Sequence, residues 1–291
     1  MSGGAVSSVL SDWFKEAIQF ELFVLFSLDF VDYFRIFVKI IRRRMGNKRI
    51  IIMGASSGIG YEVARLFIDR GWLVGLAARR KDLLSELQAR APERVRIQGI
   101  DITDQEADQA LQYLIAALGG MDIYLHVSGI GKQNKTLDPE IEENTFQTNV
   151  VGFGRMVGAV YRYFSQKGKG QIAVVSSIAG TKGLGVAPAY SATKRFQNTY
   201  IQALAQLTRM EGCHIDFTDI RPGFVDTALL SGTQHYPMLM RPEKVARQIV
   251  SAIEHRRRVV VIDWRYAVIT YIWQLIPRWV WERMVVRTRR K

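Results

Sequence analysis

Arg49-Ile50-Ile51-Ile52-Met53-Gly54-Ala55-Ser56-Ser57-Gly58-Ile59-Gly60 is the stretch that decides how this chain folds. Its first five residues form a short, continuous apolar run, the pattern of a strand buried on both faces. Glycines at 54, 58 and 60 follow directly, and a helical pattern opens behind them. Glycine lets the backbone turn sharply there and come close to a pyrophosphate, which the amides of the helix N-terminus can hold. A glycine-rich loop by itself is a weak signal; one placed between a strand and a helix is a much stronger one. The candidate phosphate cradle is therefore Gly54, Ser56, Ser57, Gly58, Ile59 and Gly60.

Outward from this unit, apolar runs alternate with helical patterns. Strands are expected at Arg49–Met53, Trp72–Ala77, Val95–Gly99, Asp122–Ser128, Gln171–Ser176, His214–Ile220 and Val259–Ile262. Helices are expected near 58–70, 81–90, 104–118, 140–165, 190–211 and 242–255. Apolar strands separated by helices imply an α/β fold, a doubly wound parallel seven-stranded sheet covered on both faces. This single domain spans 47–262, between an apolar, amphipathic extension over 1–46 and a Trp/Arg-rich tail over 263–291, both helical.

The net charge of +13 suggests nucleic acid until it is located. Residues 256–291 carry +8, residues 1–45 carry +1, and the long middle only +4. The excess belongs to the tail, and no nucleic-acid partner is expected. A single cysteine, Cys213, excludes an internal disulfide and fits a reducing compartment. At the edge of a strand-like run it reads as structural, and no metal site is expected.

Residues 5–45 contain no Gly or Pro, and Phe20–Ile41 is crowded with apolar side chains. Glu21, Asp29, Asp32, Arg35 and Lys39 interrupt that run, and a charge at a bilayer centre costs about 3 kcal/mol, which disfavours a clean span. Asp29, Asp32, Arg35, Lys39 and Arg43 share one helix face, so the reading is an interfacial amphipathic helix ending in Arg42-Arg43-Arg44. Upstream sequence ahead of a start at Met45 is the blander alternative, and a span stays open beside both. No small-residue cleavage site follows, so a secretory signal is not expected. The location expected is cytoplasmic, with peripheral membrane contact as an option.

The second strand ends in Ala77-Ala78-Arg79-Arg80. In a doubly wound sheet that position meets the adenosine ribose, where an acid suits free hydroxyls and arginine suits a 2′-phosphate. Arg79 thus favours NADP(H) over NAD(H), which stays possible; a solvated turn is the alternative. Further on, Tyr190 and Lys194 stand four residues apart and share one helix face. A phenol of pKa near 10 is a poor acid at neutral pH, and an adjacent cation lowers that value. The pair could then exchange a proton with a carbonyl oxygen.

In company these motifs carry a resemblance. Gly54–Gly60, Ser177 thirteen residues before Tyr190, Lys194, Arg221-Pro222-Gly223 and Asp226-Thr227 resemble the short-chain dehydrogenase/reductase superfamily in its single-domain, Rossmann-fold branch. The likeness covers about 46–262, and is greatest to bacterial oxidoreductases of unassigned substrate. The resemblance implies that Tyr190 is the general acid/base and that Lys194 binds the nicotinamide ribose and depresses the tyrosine pKa. It implies that Ser177 hydrogen-bonds the substrate oxygen and that Asn149 holds a water in a proton relay. It also implies that Asp101 bonds the adenine amine, with Ile102 packed near the ring, and that Pro222, Gly223 and Thr227 meet the nicotinamide end. The substrate is then a small-molecule carbonyl or secondary alcohol, and a homodimer or homotetramer is expected.

Two departures stand out: Met53 replaces the usual Thr, and His126-Val127-Ser128-Gly129 replaces Asn-Asn-Ala-Gly. Both flank one cofactor-side loop and read as exchanged together, with Gly129 kept for close approach to the adenosine. His126 reads as a satisfied core histidine. The segment Asp226–Arg241 is short and rather apolar, which suggests a small lid over a hydrophobic substrate, with a mobile surface loop as the alternative. The tail, with Trp273, Trp279, Trp281 and many arginines, suits either an anionic membrane surface or packing beside the pocket or across a subunit interface. A competing function is a cofactor-binding, membrane-associated sensor or scaffold without redox turnover.

Overall fold

Each of the seven expected strands forms in the computed structural model, which describes residues 48–230, 234–286 and 289–290. The readings of residues 1–46 lie outside the described residues. The first half of the domain runs β1 (Arg49–Met53), α1 (Gly58–Asp69), β2 (Leu73–Ala78), α2 (Ser85–Ala89), β3 (Val95–Gly99), α3 (Ala107–Ala117) and β4 (Ile123–His126). The second half runs α4 (Pro139–Phe146), α5 (Phe153–Lys167), β5 (Lys169–Val175), α6 (Pro188–Met210), β6 (His214–Pro222), β7 (Gln234–His235), α7 (Pro242–Glu254) and β8 (Val259–Ile262). Two tail helices follow, α8 (Trp264–Leu275) and α9 (Arg278–Trp281), and then the short β9 (Arg289–Arg290). Strand ends differ from expectation by a few residues.

The main sheet is seven-stranded in the order β3-β2-β1-β4-β5-β6-β8, parallel throughout. A strand covered on both faces sends alternate side chains to opposite cores. On β1, Ile50 and Ile52 join Val63, Phe67, Ile249 and Ile253 of α1 and α7. Ile51 and Met53 point the other way, into Leu111, Leu114, Phe153 and Val157 of α3 and α5. Strand order reverses between β1 and β4, so the chain diverges beyond their carboxyl ends and leaves a crevice there. Gly54 leaves β1 at that crevice, and Val127 leaves β4.

The stretch expected as one helix over 140–165 is divided. Gln147–Gly152 forms a π-helical turn between α4 and α5. Asn149 lies at its centre, fully buried, and its side chain bonds both backbone groups of Ile130. A residue committed to a neighbouring loop in this way holds the helix ladder open, and such wide turns recur at functional sites.

Met53 and His126 are register partners on β1 and β4, so the two departures do adjoin. His126 is buried, its Nδ1 2.9 Å from the Tyr124 hydroxyl and its ring edge-on to Phe153. Burial, aided by the charge of Lys194, holds it down at about 3, so it is neutral at working pH. Its Nε2 has no partner among the described residues, so the histidine is a core residue with only one nitrogen satisfied.

The tail packs on the domain. Tyr266 of α8 lies where Gly223 has no side chain; its hydroxyl donates to Pro237 O at 2.7 Å and accepts from Phe224 N at 3.3 Å. Trp281 Nε1 donates to Gly183 O at 2.7 Å, and Lys182 Nζ donates to Ile276 O at 2.9 Å. The tail indoles are therefore sorted: Trp273 and Trp281 turn inward, 5.3 Å apart, while Trp264 and Trp279 are exposed. Among the described residues, no helix is long and apolar enough to cross a membrane.

Candidate active site

The glycine loop uses each of its glycines. Gly54 has φ +95° and Gly58 has φ +55°, backbone states that a side chain disfavours. A Cβ on Gly60 would overlap the Gly54 carbonyl, and one on Gly54 would sit 2.6 Å from Ser128 N. Ser57 is the extended N-cap of α1 and makes no side-chain cap bond, so the first amides of that helix face the crevice without an internal acceptor. Bare amides at a helix start, reached over a loop without side chains, fit a diphosphate.

Arg79 is exposed just past β2, and Asp101 follows β3 closely, with its Oδ1 tied by Thr103 N (3.0 Å) and Thr103 Oγ1 (2.8 Å). Ile102 is buried against Gly152, with its side chain in the core. These three stand apart from the cavity at Tyr190. That cavity, of about 470 Å³, opens beyond the carboxyl ends of the central strands and brings together Ile59, Gly129, Ser177, Tyr190, Lys194, Pro222, Gly223 and Thr227. Gly129 borders Asn149 and Lys194. Leu184, Val186, Phe224 and Trp273 also line the walls; none was singled out in the sequence as a site residue.

Tyr190 and Lys194 lie one turn apart near the start of α6, whose first residue is Pro188. The Tyr190 ring rests against Gly131, where any side chain would overlap it. Ser177 caps the short 3₁₀ turn Ile178–Gly180, accepting from Ala179 N at 3.1 Å, which leaves its own proton to donate. Burial raises the Tyr190 phenol above its ordinary value, and the hydrogen bond with Ser177 works against that rise. Desolvation of the phenolate thus opposes the lowering expected from a neighbouring cation.

Lys194 is 4% exposed, and burial lowers its ammonium to about 8, against an opposing push from Asp219. Its Nζ lies 5.8 Å from the Tyr190 ring centre and donates to Val175 O (3.2 Å) and Gln197 Oε1 (3.0 Å). The Asn149 side chain also reaches Thr193 Oγ1 at 3.2 Å, and its main-chain carbonyl accepts from Gln197 Nε2 at 3.0 Å. Under this helix Asp219, 1% exposed, accepts from Ser176 Oγ (2.6 Å), Asn198 Nδ2 (3.0 Å) and Arg221 Nη2 (2.6 Å). Gln197 gave no signal in the sequence, because its partner Asn149 is 48 residues away.

Comparison with known proteins agrees with this geometry. The family profile for short chain dehydrogenase matches residues 48–236. An uncharacterized oxidoreductase of Mycobacterium tuberculosis is 30% identical over 244 residues, covering 79% of this chain and 95% of that protein. A short-chain dehydrogenase from Streptomyces avermitilis superposes with a TM-score of 0.68 at 22% identity, covering 78% of this chain and 92% of that one. An alcohol dehydrogenase from the archaeon Thermococcus sibiricus, solved in complex with 5-hydroxy-NADP, superposes with a TM-score of 0.64 at 21% identity, covering 74% and 95%. This chain belongs to the short chain dehydrogenase family and is a nicotinamide-dependent oxidoreductase.

Proposed function

We propose that the enzyme is an NADP(H)-dependent carbonyl reductase or secondary-alcohol dehydrogenase acting on apolar small molecules. The observation that carries this reading is the convergence of Ser177, Tyr190 and Lys194 on the floor of a cavity walled by Ile59, Leu184, Val186, Phe224 and Trp273. Gly54–Gly60 and the first amides of α1 would hold the diphosphate, Arg79 a 2′-phosphate, and Asp101 the adenine amine. Pro222, Gly223 and Thr227 would border the nicotinamide. The bound nicotinamide supplies or accepts the hydride. Tyr190 Oη gives its proton to the carbonyl oxygen in reduction and takes it back in oxidation. Ser177 Oγ donates a hydrogen bond to that same oxygen, stabilising charge as it develops. The Lys194 ammonium favours the phenolate left behind, and the apolar walls exclude water, which strengthens both effects.

The reading is tested by NADPH oxidation with a panel of apolar aldehydes and ketones; no turnover on any of them, with NADPH bound, would favour the sensor alternative. Cofactor preference is a separate test. Arg79→Ala should lower the NADPH-over-NADH preference by about 10- to 100-fold, the worth of one charge-assisted hydrogen bond. An unchanged ratio would assign the 2′-phosphate to another group.

One more observation bears on partners. The outer face of α8 and α9 presents Trp264, Tyr271, Leu275 and Trp279, each at least 64% exposed, beside the exposed Arg278 and Arg283. Aromatic and guanidinium groups together suit the headgroup zone of an anionic bilayer, and we include peripheral membrane contact through this face in the proposal. The protein should co-sediment with phosphatidylglycerol vesicles, less so in high salt, and Trp264→Ser with Leu275→Ser should release it. Equal sedimentation of the wild type with and without vesicles would remove the membrane from this account.

A further inference from the structure

Gln197 is fully buried on α6, one turn beyond Lys194, and uses both ends of its amide. Its Oε1 accepts from Lys194 Nζ at 3.0 Å, and its Nε2 donates to the main-chain carbonyl of Asn149 at 3.0 Å. The partners fix which end is which. A flipped amide would set NH₂ against an ammonium and oxygen against oxygen. The Asn149 carbonyl belongs to the π-helical turn, whose opened ladder makes that oxygen accessible to a side chain from another helix.

An ammonium has three protons to place, and a buried one is costly unless they are matched. Val175 O and Gln197 Oε1 take two of them. The Nζ lies 3.5 Å from the Cβ position of Gly129 and lines the cavity, so the third is left for that side. We propose that Gln197 is a positioning residue for Lys194: its amide clamps the ammonium to the Asn149 carbonyl and aims the remaining proton into the cavity. The inference rests on the assignment of Lys194 to the reaction made above. Gln197 itself does not line the cavity.

The charged and titratable groups facing Lys194 are Tyr190 on its own helix, Asp219 on β6 and His126 on β4. His126 is neutral at working pH, so it does not compete with the ammonium there. An acceptor at Oε1 favours the charged lysine, and its loss favours the neutral one. Gln197→Leu should therefore move the Lys194 titration down in pH, and Gln197→Glu should move it up, each by about one unit. A residue that merely fills space would shift both variants the same way or neither.

Two measurements on the full chain decide the matter. The first is the titration of Lys194 followed by NMR of carbon-13-labelled lysine, assigned through Lys194→Met. The second is the alkaline limb of the pH profile of kcat/KM, which should follow the same opposite shifts. Superimposable titrations, or two shifts of the same sign, would overturn the proposal. Gln197→Met replaces the leucine variant if that protein does not fold. The NMR reading needs no turnover, so an inactive wild type would sink the proposed function while leaving the role of Gln197 to be judged on its own.

Discussion

Tyr190→Phe protein is expected to lose carbonyl reduction by about a thousandfold while binding NADPH within a few-fold of wild type. The substitution removes one oxygen and keeps the ring that packs on Gly131, so the fold has no reason to change. The missing hydroxyl is the atom that exchanges a proton with the substrate oxygen. General acid–base catalysis contributes about 10²- to 10⁴-fold, roughly 3–5 kcal/mol of barrier. The loss should fall on kcat and kcat/KM together, as for an interaction made only in the transition state. Stopped-flow hydride transfer and dinucleotide fluorescence separate the two quantities. Turnover within tenfold of wild type would give the proton to another group, and a parallel loss of NADPH binding would mean the site had collapsed.

The second large effect concerns stability. Asp219 is a buried carboxylate holding Ser176, Asn198 and Arg221 together beneath the catalytic helix. Asp219→Ala removes an acceptor shared by three donors, of which Ser176 keeps Ile220 O and Asn198 keeps Ser176 Oγ, and breaking a buried pair from one side costs about 3–5 kcal/mol. Arg221 is 20% exposed and can turn toward water, which places the expectation near the lower end. In a domain of this size that lowers Tm by about 10 °C. Asp219→Asn keeps one acceptor oxygen and should fall between. Thermal unfolding by circular dichroism reads both, and an alanine variant within about two degrees of wild type would show that the cluster is not a stabilising hub.

Much of this was legible in the sequence, for a physical reason. Strands buried on both faces must be continuously apolar, so Arg49–Met53 and its counterparts announced the sheet. Glycines that need positive φ or close approach, such as Gly54 and Gly60, announced the loop. The Tyr190–Lys194 spacing was readable because one helix turn brings those residues together by itself. What stayed hidden depends on contacts between distant segments. The π-helical turn at Asn149 reflects its bonds to Ile130, and Gln197 acquires meaning only through Asn149. The upward push of burial on Tyr190 has no sequence signal, because spacing reports the neighbouring cation and not the depth of burial. Nor does composition sort the tail indoles, since Trp273 and Trp264 lie on one helix and point to opposite environments.

The placement of Trp273 in the cavity wall has a consequence in time. Asn149, Ser177, Tyr190 and Lys194 are all synthesised well before Trp273. At roughly 5–20 residues per second, the ribosome needs several seconds more to reach it. The part of the wall that Trp273 supplies is therefore added after every residue assigned to the reaction.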